Sequence, residues 1–273
     1  MVERRVIEPA PAWPFPDLKE LWAHRDLVYF LSRRDVAIRY KQSVIGTFWA
    51  VLQPVLLAGV FSVFLGLLAK VPSESGIPYP LFAVSGIVMW LFISQGIIKA
   101  TTSTVESSAM ISKVYFPRIA VPLAAVIPST VDFAVAFLVV VLVGLGYGFV
   151  PGPQILLIPS VLVLAFALAL GTGLWAAALN AKYRDVQHLV SFALLLGLFI
   201  APIVYPLSQV PENMQILYSL NPTVGVLEAY RWMLLGVHPE VFSIVMAVVI
   251  SAILLVTGVI YFRRAEQSFA DVL

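Results

Sequence analysis

The sequence predicts an all-α integral membrane protein, and three observations carry that fold class. Hydrophobic residues make up 60% of the 273, charged residues only 12%, and the mean hydropathy is +0.95, outside the range of soluble domains. Six stretches approach the roughly 20 apolar residues that a helix needs to cross a bilayer: Val44–Leu68, Tyr79–Ile98, Ala120–Val143, Ile155–Leu179, Val186–Val204 and Val241–Phe262. Lysine and arginine then fall almost wholly on one side of this six-span path. Segments 1–43, 99–119, 180–185 and 263–273 hold fifteen of the seventeen, and Lys70 and Arg231 are the other two. Cytoplasmic loops carry such an excess, so both termini are expected in the cytoplasm.

Composition also narrows the chemistry. The net charge of +2 gives no support to a nucleic-acid partner. The absence of cysteine excludes disulfides, thiolate metal sites and cysteine nucleophiles. The chain contains no HExxH, GxSxG or GxxxxGK[ST], and its three histidines, His24, His188 and His238, are scattered. No metal site, catalytic residue or cofactor is therefore expected in this chain.

Residues 1–43 read as an N-terminal cytoplasmic segment, and 44–273 as the six-span domain. The stretch EPAPAWPFP, residues 8–16, carries four prolines and is expected to be extended. Asp17 reads as a helix N-cap, with Glu20 behind it and Leu18, Leu21 and Trp22 as an apolar stripe. The helix that follows is expected to lie at the cytoplasmic interface, bent, with Trp22 and Tyr29 near headgroups. A solvated charged tail is the alternative. Arg33, Arg34, Arg39 and Lys41 stand directly against the first apolar run. That placement suits a membrane entrance, and because the run begins behind these charges the N-terminus does not read as a cleavable signal.

The fourth span aligns Ala165, Ala169, Gly173 and Ala177 at four-residue spacing, a stripe that lets another helix approach closely. Gly144, Gly146 and Gly148 in GLGYG resemble a potassium-filter loop only superficially, since Phe149, Val150 and Pro151 read as a span running into a turn. Asp132 lies well inside the third span, where a carboxylate is costly and faces protein or a cavity. It reads either as a proton or substrate site or, preferred here, as a structural hydrogen bond to Ser129, Thr130 or a neighbouring helix.

The fifth span is crowded at its end by Pro202 and Pro206. Residues 205–240 are too broken for a clean crossing and read as two short re-entrant helices on the external side. Glu228 and Arg231 stand three apart there, a spacing that allows an ion pair. On the cytoplasmic side, the loop from Lys99 to Ala120 offers polar residues to cap a short helix. Met110, Ile111, Val114, Tyr115 and Phe116 supply an apolar face, Glu106, Lys113 and Arg118 a charged rim, and Pro117 a stop. Such a helix suits docking in a partner's groove.

Three stretches carry a resemblance to a known family. RRDVAIRYKQSVIGTFWAVLQPVLLAGVF resembles the entrance to the first span of ABC-2 type transporter membrane subunits, in the polysaccharide and polyol-phosphate export branch. SKVYFPRIAVPLA resembles that branch's loop between the second and third spans, and LNPTVGVLEAYRWMLLG its motif before the last span. The resemblance implies a half-transporter of the bacterial inner membrane that pairs with a second copy of itself and with two copies of a separate ABC ATPase. ATP and magnesium would be bound by that partner. It implies a lipid-linked glycan as cargo, such as O-antigen, capsule, galactan or teichoic acid. Arg33, Arg34, Arg39 and Lys41 would then meet the lipid headgroup or anionic membrane lipids. Glu106, Lys113, Tyr115, Phe116, Arg118 and Arg184 would couple to the ATPase. Phe48, Trp49, Tyr205, Glu228, Tyr230, Arg231 and Trp232 are candidates for the pore or its external gate, although interface belts enrich the same aromatics. A drug or antibiotic exporter of the same family, and a self-sufficient channel or gradient-driven carrier, remain open at this point.

Overall fold

A computed structural model describes residues 18–41, 48–73, 76–111 and 113–269. The proline-rich stretch 8–16, the expected cap at Asp17 and the start of the first span at Val44 lie outside the described residues. The side chain of Lys41 does as well. Among the described residues every regular element is helical.

The N-terminal helix, expected to be bent, is interrupted. α1 (Leu18–Ala23) gives way at His24, and α2 (Arg25–Lys41) follows. α3 (Phe48–Phe61) contains Pro54 and passes into a π-helical turn at Ser62–Leu68, which ends beside Lys70 at φ 53°. α4 (Tyr79–Glu106) is followed by the single turn α5 (Ser108–Ile111). α6 (Ala120–Gly146), α7 (Ile158–Lys182) and α8 (Val186–Ile200) come next, then α9 (Glu212–Ser219), α10 (Pro222–Leu235) and α11 (Val241–Ala265).

Among the described residues, five helices are long and apolar enough to cross a membrane: α3 with its π-helical extension, α4, α6, α7 with the short turn before it, and α11. The expected fifth span is shorter than the sequence reading had it. α8 has 15 residues, about 22 Å at 1.5 Å per residue, against a hydrocarbon core of about 30 Å. Its continuation, Ala201–Val204, turns inward and is almost wholly buried.

α4 is the hub, packed by α3, α6, α7, α8 and α10 and buried along most of its length. It also runs two turns past the expected end at Ile98. The polar run there is absorbed into the helix because its hydroxyls bond back to the preceding turn, Thr101 Oγ1 to the Ile97 carbonyl at 2.7 Å and Ser103 Oγ to that of Ala100 at 2.7 Å. Much of the expected loop 99–120 is therefore an extension of the second span. The small-residue stripe of α7 is buried and faces α4, as Gly96 of α4 lies against Ala169.

α10 opens with Asn221 accepting a hydrogen bond from the Thr223 amide at 3.1 Å, with Pro222 at its first position, and it ends at Gly236 with φ 69°. It packs on α11 so closely that a Cβ at Gly225 would stand 1.9 Å from the Ser243 carbonyl oxygen. Gly225→Ala should therefore lower the thermal unfolding midpoint of the purified chain in detergent by several degrees, an overpacking cost of about 1–3 kcal/mol. Gly146→Ala, whose Cβ would meet nothing within 4 Å, should be neutral or slightly stabilising. Equal midpoints for the two variants would contradict this account of the α10–α11 contact.

Candidate functional site

The site grows out of a proline. Pro128 sits inside α6 and has no N–H to give to the carbonyl four residues back, that of Ala124. Ser32 of α2 takes that place, its hydroxyl donating to the Ala124 carbonyl at 3.2 Å while also lying 2.8 Å from its own Val28 carbonyl. Eight residues further along both helices, the Tyr40 hydroxyl donates to Asp132 Oδ1 and Arg39 forms an ion pair with Asp132 Oδ2. Equal spacing on the two helices means that α2 runs alongside α6 in the same direction, over about 12 Å between the two contacts. α2 is thus packed along α6. Its apolar side packs Leu31 against Ile111, Phe116, Ala120, Val121 and Ala124. Trp22, Tyr29, Phe30 and Ile38 remain exposed on the outward side.

Asp132 is therefore held by a neighbouring helix, one of the partners the sequence reading allowed. Of the four expected entrance cations, Arg39 is committed to this pair, Arg33 is exposed, and Arg34 pairs with its neighbour Asp35 at 2.9 Å. Two cavities flank Arg39. One, about 340 Å³, lies between α2, α4 and α6, with Arg34, Arg39 and Lys99 facing Asp35 and Glu106. The other, about 350 Å³, lies between the end of α2 and α3, α4 and α6, and holds Trp49, Gln53, Gln95, Ser129 and the Arg39–Asp132 pair. Sequence reasoning missed Lys99, Gln53 and Gln95 as site residues and named Ser129 only as a partner for Asp132. Lone polar residues in apolar helices were the only signal.

The coupling candidates divide. Tyr115 is 78% exposed, and Glu106, Lys113 and Arg184 are also exposed. Phe116 is buried in the cluster beneath α2, so it is a packing residue and the expected single apolar docking face does not form. Arg118 donates to the Glu266 carbonyl and lies 6.0 Å from the ring centre of Phe269, tying the loop to the short turn that follows α11. Arg263 pairs with the Glu266 carboxylate at 2.9 Å. Burial pushes the Glu266 carboxyl up from its usual range, and Arg263 and Arg118 pull it back. A cleft of about 400 Å³ opens here between Glu20, Lys113, Tyr115, Arg118 and Gln267.

At the other end, the gate candidates mostly pack inside the chain. Tyr230 and Arg231 are 0% and 1% exposed, and Glu228 is buried. Arg231 donates to the carbonyls of Pro202 at 2.8 Å and Ile203 at 2.5 Å, with its guanidinium 3.7 Å over the Phe82 ring. Tyr79 donates to the Val204 carbonyl at 2.6 Å, and the Tyr205 hydroxyl lies 2.7 Å from that of Ile200. Side chains thus satisfy the backbone that α8 abandons, which is the condition for irregular backbone at membrane depth. Gly86 admits the turn, since a Cβ there would stand 2.2 Å from the Ile203 oxygen. Trp232 is half-buried, while Phe48 and Trp49 are exposed at the start of α3. Among the described residues no cluster of His, Asp and Glu could hold a metal ion.

Residues 26–235, from the first turn of α2 to the end of α10, match the family model described as ABC-2 type transporter. The chain belongs to that family. The matched region contains the α2–α6 contacts, both cavities beside Arg39 and the Arg231 turn. This ABC-2 chain is also similar along nearly its whole length to named permeases. It is 27% identical over 258 residues to the O-antigen export system permease protein RfbA of Myxococcus xanthus, covering 93% of this chain and 98% of that protein. A Klebsiella pneumoniae protein of the same name is 26% identical over 251 residues, covering 91% and 95%. The polysialic acid transport protein KpsM of Escherichia coli is 23% identical over 247 residues, covering 87% and 93%.

The Arg39–Asp132 pair predicts energetic coupling between α2 and α6. Arg39→Met and Asp132→Leu should each destabilise the chain, because each leaves a charge in an apolar setting. The double variant should lose less than the sum, with a coupling of about 0.5–3 kcal/mol in denaturant unfolding. Additive losses would contradict the pairing.

Proposed function

We propose that this ABC-2 chain is the membrane subunit of an ATP-driven exporter that carries a lipid-linked polysaccharide out of the cytoplasm across the bacterial inner membrane. The observation that carries this reading is the end-to-end similarity to permeases named for O-antigen export and polysialic acid transport. The distribution of lysine and arginine supports cytoplasmic termini. Two copies of the chain would meet two copies of a separate ATPase, since the sequence has no phosphate-binding loop of its own.

Within this reading the cleft of Arg34, Arg39 and Lys99 receives the lipid phosphate. Arg34, Arg39 and Lys99 stand there beside Asp35 and Glu106, and a phosphate would compete with Asp132 for Arg39. The ATPase would press on the cleft around Lys113 and Tyr115. Arg118 could pass that displacement to the end of α11, and the packing of Phe116 could pass it to α2 and α6. The short helices α9 and α10 would close the external side, held shut by Arg231 and Tyr79 on the turn after α8.

The test is reconstitution in liposomes with each ABC ATPase of the same genome in turn and a host's lipid-linked polysaccharide. The chain alone should hydrolyse no ATP, and the complex should export. Tyr115→Ala should keep the thermal stability of the chain but weaken ATPase binding about tenfold. Phe116→Ala should lower stability itself, as loss of a buried Phe costs about 3–5 kcal/mol. Transport by the chain alone under an ion gradient would overturn the reading.

A further inference from the structure

The cavity behind Arg39 is built for more than passage of a headgroup. Its two formal charges cancel, because Arg39 and Asp132 pair across its wall. An incoming phosphate would face the Asp132 carboxylate there, and an incoming cation would face the Arg39 guanidinium. What the cavity offers beyond the pair is uncharged. The carboxamides of Gln53 and Gln95 line it, and so does Ser129. The Ser129 residue is 1% exposed, and its hydroxyl has no hydrogen-bond partner among the described residues. An unmade bond of that kind costs about 1–3 kcal/mol. Pro54 adds a further acceptor, since it withdraws the N–H that would have bonded the Ala50 carbonyl, and both residues line the cavity.

Trp49 supplies the remaining feature. It is 53% exposed and borders the cavity at the start of α3, so an accessible indole stands at this cavity's edge. Deeper in, Phe92 and Phe133 lie edge to face at 5.7 Å. At about 350 Å³ the space is at the lower end for small-molecule sites, about 300–1,000 Å³. A pyranose ring has the complementary chemistry. Its rim of hydroxyls both donates and accepts, which matches amides, a hydroxyl and a carboxylate, while its C–H faces lie against an aromatic ring. A lipid acyl chain fits the volume but would leave the amides and Ser129 without partners.

We propose that this cavity is a neutral saccharide subsite, taking one sugar ring of the cargo next to its lipid phosphate. Arg39 lines both cavities, so a phosphate among Arg34, Arg39 and Lys99 brings the sugar attached to it to the Trp49 side. Ser129, Gln53 and Gln95 hold its hydroxyls, and Trp49 covers its face. The site thereby distinguishes a sugar-loaded lipid from an empty lipid phosphate of the same charge. This inference rests on the polysaccharide-export reading above.

The test measures binding to the full chain in lipid nanodiscs by native mass spectrometry. The probes are farnesyl diphosphate capped with methyl, and the same diphosphate capped with glucose, galactose or N-acetylglucosamine, all equal in charge. At least one sugar should bind about tenfold tighter than the methyl cap, the gain expected of one or two added hydrogen bonds. In Ser129→Val, Gln95→Leu and Trp49→Leu that advantage should shrink to within about twofold, while the methyl-capped affinity stays at the wild-type value and reports an intact fold. Sugar caps that bind no better than methyl, or an advantage that survives all three variants, would overturn the subsite. If the methyl-capped diphosphate binds while the sugars add nothing, only the subsite fails. If no probe binds the wild-type chain, the export reading fails with it.

Discussion

Polar groups inside an apolar bundle must find partners, and the Arg39–Asp132–Tyr40 contact is where that constraint organises this protein. A carboxylate on α6 is costly among helices unless a cation faces it. Supplying one requires α2, although basic and amphipathic, to run in alongside α6. Pro128 fixes the other end of the same contact by leaving the Ala124 carbonyl for Ser32. Two satisfied polar contacts at equal spacing place α2, and α2 in turn shapes the two cavities on either side of Arg39.

The opposite end of the bundle, where α8 meets α10, obeys the same rule with the charges reversed in role. There the backbone supplies the unmet acceptors, because α8 stops after 15 residues, and Arg231, Tyr79 and Tyr205 supply donors. α4 spans the distance between the two ends. It carries Phe82 beneath Arg231 and Gln95 in the inner cavity, and it ends at Glu106 beside Lys99. A shift of α4 would be felt at both ends. That gives this chain a physical route from the cavities beside Arg39 to the turn after α8.

Much of this was legible in the sequence. Apolar length and the placement of Lys and Arg gave the helical membrane fold, and the interruptions in 205–240 gave two short helices there. Asp132 was legible as a costly group needing a partner, but its partner was not, because the pairing joins residues 92 and 93 positions apart in sequence. The burial of three candidate residues was not legible, for one shared reason. Phe116, Tyr230 and Arg231 have compositions that suit a docking face or gate as well as a core, and only packing separates the two. The end of the second span was misread because Thr101 and Ser103 look like capping residues, whereas a helix in apolar surroundings folds their hydroxyls back onto its own carbonyls. The inner cavity was invisible for a plainer reason. Gln53, Gln95 and Ser129 come from three helices, and nothing in their spacing says that they meet.

The central claim is that Asp132 pins the end of α2 to the bundle, and hydrogen–deuterium exchange of the full chain in nanodiscs tests it most directly. Asp132→Asn keeps an acceptor for Tyr40 but removes the charge that holds Arg39. The account predicts faster amide exchange across residues 36–41 than in the wild-type chain, with residues 27–32 changing less, since Ser32 and the Leu31 cluster still hold them. Unchanged exchange across 36–41 would contradict it.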